Sequence, residues 1–517
     1  ARNLHFGEET DAAITWHAHG VCAGLTVTLK GRLEFDGCLQ YHMTVDAQRD
    51  VAIQDMRLVV PWHEDAAPYL MGLGQQGGRR PTQLDWTWDV RKHQDSLWMG
   101  DINAGMQIRW KGANYARPLV NIYYDFKPLR LPASWGNENK GGVRMAQDGP
   151  DTVTLTAYSR ERLLKQGQTL RFDFDLYLTP FKPLDTAGPW ALRYIHPHQG
   201  INDPHSQDFS LVQEKGANVV NMHHNTAFNP FINYPYNELS LPGLIDCVQR
   251  AHEADLKLKL YYTTREITNN MRELYAFKHL NQEIIFPTDQ QPIKTVINRN
   301  GPHPWLLEHL GQTGYIPAWR ETLKGPYEGM LDLAVITAPD TRWNNFYLEG
   351  LKLLVDKARI DGLYIDDTAL DRKSLQRARR IMDAQRPDPQ IDLHSWNHFN
   401  GLAQYAACAI LYMETFPYIN RLWFGEGFDY NSKPDYWLVE ISGLPFGLMG
   451  EMLQGGGHPW RGMLYGMTQR LGWSGDPRAI WALWDSFGMQ DVDVKGYWDP
   501  TCPVKTGRDD VLATVYQ

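Results

Sequence analysis

The stretch DGLYIDDTALDR, residues 361–372, decides how the second half of this chain is read. Gly362 to Asp366 reads as a buried strand, two carboxylates follow one another, and a helix-like run comes next. Charged Asp is rarely buried unless it is paired, so a strand ending on Asp366 and Asp367 points its acids at something. Working outward, the amphipathic run TRWNNFYLEGLKLLVDKARI (341–360) leads into the strand and KSLQRARRIMDAQ (373–385) leaves it. NVVNMHH (218–224), LKLKLYYTTRE (256–266), IDLHSW (391–396) and RLWFGEG (421–427) are further strands separated by helical patterns. Strands alternating with helices mean parallel βαβ units. About 300 residues of them fit a (β/α)8 TIM-like barrel. The stretches 275–340 and beyond 440 do not declare their strands, so barrel closure is an expectation.

Upstream, the texture is β. CAGLTVTLKGRLEF (22–35), CLQYHMTVDA (38–47), DVAIQDMRLVVPW (50–62), AGMQIRWKG (104–112), PLVNIYYDF (118–126), DTVTLTAYSRE (151–161) and QTLRFDFDLYLTPF (168–181) alternate apolar and polar residues. Short strands at this spacing predict a β-sandwich. The Pro- and Gly-bearing TPFKPLDTAGPW (179–190) is the natural connector. The expected organisation is an N-terminal β-sandwich over 1–182, a catalytic barrel over 183–505 and the start of a C-terminal β segment over 506–517.

Composition narrows the function. A net charge of -9 with no Lys/Arg run argues against nucleic acid, and no apolar run approaches a membrane span. The chain begins at Ala1 rather than Met, which reads as loss of an upstream export signal and a secreted or periplasmic location. The five cysteines show no C-x-x-C spacing, so zinc and redox motifs are not expected. Cys247 and Cys408 read as core thiols, and Cys22 and Cys38 flank a hairpin-like pattern that an oxidising compartment could bridge. The 19 Trp and 25 Tyr include rings in loops suited to the apolar faces of sugars.

In a barrel the site lies at the C-terminal strand ends. Those ends carry His223, His224 and Asn225; Tyr262, Arg265 and Glu266; Asp366 and Asp367; His394, Trp396, Asn397 and His398; Glu426 and Asp429. Five polar and aromatic ends suit a polyhydroxylated ligand. Side chains alternate along a strand, so Leu363 and Ile365 should face helices while Tyr364 and Asp366 face the interior. Two neighbouring acids resist joint ionisation, giving the protonated and ionised pair that glycosidic cleavage needs. Against this, Asp367 can be read as a helix cap, with Thr368 and Asp371 as rivals, and Asp366 as a structural ion-pair partner. His223 and His224 lack the spacing of a metal site, so neither metal nor cofactor is expected. Glu414 reads as a surface or interface acid; Glu426, between two glycines, is the better catalytic candidate.

LTPFKPLD (178–185), GANVVNMHHNTAFNPFINYP (216–235), LKLKLYYTTREITN (256–269), YIPAWRE (315–321), the segment around DGLYIDDTALDR, IDLHSWNHFN (391–400) and LWFGEGFDY (422–430) together resemble bacterial proteins of glycoside hydrolase family 123. SLWMGDINAGMQIRW (96–110) resembles their N-terminal β-sandwich. The resemblance implies an exported bacterial glycan-degrading enzyme, β-N-acetylgalactosaminidase activity and substrate-assisted, retaining, exo-acting catalysis by a consecutive Asp-Glu pair. By position Asp366 matches the Asp that polarises the 2-acetamido group, and Asp367 the acid/base. Here the second acid is Asp, with an arm shorter by about 1.5 Å, which bears on the sugar. An alternative has Asp366 as direct nucleophile and Glu426 as acid/base on a sugar without the acetamido group. A reading from another class is a non-catalytic glycan-binding barrel. His223, His224, Tyr262, Arg265, His394, Trp396 and Asn397 are the expected substrate contacts. The partner is an oligosaccharide or glycan.

Overall fold

The structure is a computed structural model. It describes residues 3–89, 94–112, 133–196, 209–224, 226–280, 283–285, 317–323, 325–337, 341–366, 370–394, 408–423, 431–452, 459–472 and 475–517. The strand expected at 118–126 lies outside these residues.

Among the described residues, the first part has two large sheets face to face, with a short antiparallel pair, Val51–Ile53 and Arg162–Leu164, beside them. One runs Leu4–Glu9, Ala13–Cys22, Leu25–Glu34, Cys38–Ala47, Thr169–Thr179, Gly105–Lys111, Ser96–Gly100, Tyr69–Gly72, Gln75–Arg79 in spatial order. The other runs Arg57–His63, Thr152–Tyr158, Gly142–Gln147, Gln83–Thr87. Alternation drives the packing: Val153, Leu155 and Ala157 are buried while Thr152, Thr154 and Thr156 are half-buried. They meet Val143, Met145, Leu97, Ile108, Trp110 and Phe172 in one core, the β-sandwich expected from the sequence. The idea of a Cys22–Cys38 bridge is corrected. Cys22 pairs with Leu25 at one end of the intervening strand, whereas Cys38 follows its other end, where Leu33 pairs with Leu39. The strand holds them roughly 30 Å apart at about 3.3 Å per residue, and both thiols are free.

The second part is a parallel barrel. Its strands, in chain order, are Tyr194–His196, Val219–Met222, Lys257–Tyr261, Gly362–Asp366, Gln390–His394, Arg421–Trp423, Met449–Met452 and a final strand in two pieces, Thr468–Gln469 and Leu471–Gly472. The first piece pairs with the seventh strand and the second with the first strand, so the sheet closes through the buried Arg470. The uncertain stretch 275–340 is explained by an insertion after the third strand, an antiparallel sheet of Glu266–Thr268, Leu331–Ile336 and Pro317–Thr322. Helix Trp343–Leu353 then leads through a π turn at Leu354–Ala358 to the fourth strand. Gly362 opens that strand because a Cβ there would lie 2.1 Å from the Gln390 carbonyl oxygen. Outward-facing Leu363 and Ile365 join the helix-side core, as alternation requires.

The long sheet's other face packs on the barrel. Arg109 pairs with Glu414 at 2.5 Å and Gln107 donates to the Ile410 carbonyl at 3.0 Å. Glu414 is therefore an interface acid. Past the barrel, helix Arg478–Phe487 is followed by Val494–Lys495, which pairs with Val515–Tyr516. Among the described residues no helix is long and apolar enough to cross a membrane.

Candidate active site

Strand register builds the site. Tyr261 stands beside Tyr364, and Asp366 beside His394, so these inward-facing residues of strands three, four and five share one wall of the barrel mouth. Asp366, 9% exposed, faces three side-chain partners, one fewer than the roughly four hydrogen bonds a carboxylate can accept. Its Oδ2 accepts from the Tyr261 hydroxyl at 2.7 Å and from Arg265 Nη2 at 2.5 Å. Its Oδ1 lies 2.6 Å from His394 Nδ1. An ionised carboxylate only accepts, so the shared proton sits on Nδ1, and the Tyr364 hydroxyl meets the same nitrogen at 2.8 Å.

Burial by itself pushes the Asp366 carboxyl up. The Arg265 guanidinium, the His394 ring and the hydrogen bonds from His394 and Tyr261 outweigh it, and the acid is held well below the usual carboxylate range. Burial likewise lifts the Tyr261 phenol well above its ordinary value, more than Arg265 draws it down, so it remains a donor. Arg265 is itself held between two acids. Its Nε lies 2.9 Å from Glu266 Oε2, and Glu266 is fully buried.

Behind this wall the barrel interior is aromatic and ionic. The Tyr364 ring lies 4.6 Å from Trp423 and 5.2 Å from His196. His196 Nδ1 meets Arg470 Nη1 at 2.6 Å and Asn221 Nδ2 at 2.9 Å. Both partners donate, so Nδ1 accepts; burial, then Arg470, hold the ring well below its ordinary pKa and neutral. Deeper, Lys259 pairs with Asp392, and Arg421 with Glu451 at 3.3 Å. These pairs fill the tube with charge that nearly cancels, so the interior is a packed floor for the site.

Of the expected site residues, Arg265 and His394 bond Asp366 directly. The His223 and His224 rings lie 4.3 and 4.8 Å from the ring of Tyr261, which itself bonds Asp366. The expectation for Tyr262 is corrected: it points outward, stacks on Tyr347 at 4.2 Å and donates to the Tyr347 carbonyl. Tyr261 takes its place. The signal was present, because the alternation that turned Asp366 inward also turns Tyr261 inward and Tyr262 outward. Asp367, Trp396, Asn397 and Glu426 lie outside the described residues, as do Asn225, His398 and Asp429. The cap of the next helix is Asp371, whose Oδ1 accepts from the Ser374 amide at 3.0 Å. Helix capping therefore does not need Asp367.

Family models agree with this architecture. Family models of glycoside hydrolase 123 match the chain end to end: the TIM-barrel domain over residues 185–472, the third domain over 1–180 and the C-terminal domain over 476–517. No curated protein matches the sequence. Similar solved structures include the GH36 α-galactosidase of Geobacillus stearothermophilus in complex with raffinose, 10% identical, with 96% of this chain and 75% of that one covered at a TM-score of 0.45. The Thermus thermophilus α-galactosidase bound to p-nitrophenyl α-D-galactopyranoside is 10% identical, with 93% and 95% covered and a TM-score of 0.35. The Flavobacterium johnsoniae GH31 dextranase complexed with glucose is 8% identical, with 89% and 63% covered and a TM-score of 0.36.

Proposed function

Because this chain belongs to glycoside hydrolase family 123 and is a glycoside hydrolase, we propose that it is a retaining, exo-acting hexosaminidase of the β-N-acetylgalactosaminidase type whose substrate supplies its own nucleophile. The observation that carries the reading is the environment of Asp366. Three donors, two of them on a basic side chain and an imidazole, keep it anionic and engage both oxygens. Such a carboxylate is a poor proton donor and a blunted nucleophile, but a good electrostatic partner for positive charge developing beside it.

In this mechanism the acetamido oxygen attacks the anomeric carbon as the glycosidic bond breaks. Asp367 gives its proton to the departing oxygen. Asp366 accepts a hydrogen bond from the acetamido N–H and stabilises the oxazolinium. Water then attacks the same carbon, losing its proton to Asp367; the ring opens back to the acetamide, and configuration is retained. Asp367 can take the acid/base role because Asp371 meets the needs of the following helix. His223, His224, Trp396 and Asn397 belong to the sugar-contacting side of this proposal.

The test is activity on aryl β-glycosides with and without a 2-acetamido group, with Asp366→Asn and Asp367→Asn alongside. Cleavage confined to acetamido sugars, with kcat lowered by about two to four orders of magnitude in each folded variant, supports the reading. Equal cleavage of sugars lacking the group overturns it.

A further inference from the structure

Arg265 sits in the connection, residues 262–265, between the third barrel strand and the first strand of the insertion, which opens at Glu266. Neighbouring elements hold this connection. The Thr263 hydroxyl donates to the Asp366 carbonyl at 2.7 Å, and the Thr337 amide donates to the Arg265 carbonyl at 3.0 Å. The Thr264 carbonyl accepts from the Thr337 hydroxyl at 2.6 Å and from Trp343 Nε1 at 2.8 Å. One side chain from a different loop closes the two ends. Asn233, in the connection after the second barrel strand, accepts from the Thr263 amide at 2.8 Å through Oδ1 and donates to the Glu266 carbonyl at 2.5 Å through Nδ2. Asn233 is 2% exposed and adopts φ +54°. Among residues with side chains, Asn is one of the few that visit the left-handed region readily. A buried amide satisfied at both ends fixes a separation as well as adding energy.

We infer that Asn233 is a positioning residue for the reaction: by stapling Thr263 to Glu266 it holds the connection that keeps the Arg265 guanidinium on Asp366. Both of these bonds go to backbone atoms, of Thr263 and Glu266. With the staple gone, the bonds from Thr337 and Trp343 still hold the middle of the connection, but its two ends are no longer tied together, and Arg265 sits less firmly on Asp366. Burial of Asp366 is then less fully opposed, while Tyr261 and His394 still face it. The carboxyl becomes easier to protonate.

The inference rests on Asp366 being the working carboxylate, and the experiment separates the two. Asn233→Gly keeps the left-handed backbone and removes both bonds; Asn233→Asp keeps the acceptor and removes the donor. The pH profile of kcat/KM is measured on whichever aryl glycoside the wild type cleaves, with melting followed in parallel. The expected result for N233G is a roughly ten- to hundred-fold loss in kcat/KM and an acid limb moved to higher pH. In an Arg265→Met background the same substitution should move the limb no further, because the group it positions is absent. A wild-type limb in N233G, or an equal shift in the R265M background, overturns the inference. Should N233G fail to fold, N233D decides by the same two readings. If Asp366→Asn keeps wild-type turnover, the reading of Asp366 itself fails. If that variant is inactive and N233G matches the wild type, this inference alone fails.

Discussion

Replacing Arg265 with Met tests what keeps Asp366 anionic. The substitution keeps an unbranched chain of similar reach and removes a cation that two buried acids share, Asp366 at 2.5 Å and Glu266 at 2.9 Å. Removing one partner of a buried pair costs about 3–5 kcal/mol. At 1.36 kcal/mol per pKa unit, that raises the Asp366 pKa by about two to four units and carries the acid limb of kcat/KM to higher pH. Stability gives an independent reading with a defined sign. In the wild type the folded-state pKa of Asp366 is depressed, so its contribution is present above the unfolded pKa and lost as pH falls through the folded one. In R265M burial and the Glu266 charge face the carboxyl with the weaker help of Tyr261 and His394. The variant's deficit in melting temperature should be large at neutral pH and shrink in acid, where both carboxyls can protonate. Arg265→Lys should restore part of the limb, since it keeps the charge but cannot bridge both acids with a planar fork. The assay is a pH series of kcat/KM with thermal melts at each pH. An R265M limb that coincides with the wild type's, with a pH-independent melting deficit, refutes the reasoning.

Tyr261→Phe should lower kcat/KM by about ten- to a hundred-fold, the worth of one hydrogen bond to a charged group. Tyr262→Phe should leave turnover intact and cost about 1 kcal/mol of stability; steady-state kinetics and denaturation of the pair check the exchange of roles. A thiazoline mimic of the oxazoline should inhibit strongly. Mass-spectrometric trapping of a 2-fluoroglycosyl adduct on Asp366 would instead establish the direct route, and azide rescue of Glu426→Ala would then name its acid/base. The Glu440 carboxyl, pushed up to about 8 by burial, accepts from the Gly77 amide at 2.5 Å where the sandwich meets the barrel. A raised folded-state pKa means stability that is fully present below the unfolded pKa and lost as pH rises through about 8. Glu440→Gln should flatten that decline, as read from thermal melts between acid and pH 9.

By itself the sequence determined the fold class and the inward placement of Asp366. Period-two alternation in the first part and strand–helix alternation in the second are local patterns, and both survive into the structure because burial selects the same faces. Alternation in GLYID turned Tyr364 and Asp366 inward, and Arg265 and His394 were legible as polar strand ends. Tyr261 is equally legible, since strand parity turns it inward and its neighbour Tyr262 outward. Tertiary structure decided the rest. The final strand is two dipeptide pieces around Arg470, and pieces that short carry no periodicity. Inward-facing charges at Lys259, Asp392, Arg421 and Glu451 contradict the continuous apolar runs usual for parallel strands, and they are tolerated because opposite charges meet inside the tube, across the fourth strand for Lys259 and Asp392 and between adjacent strands for Arg421 and Glu451. The depressed pKa of Asp366 depends on groups 28 to 105 residues away in the chain. Such contacts exist only once the barrel has brought strands three, four and five side by side, so no local pattern could announce them.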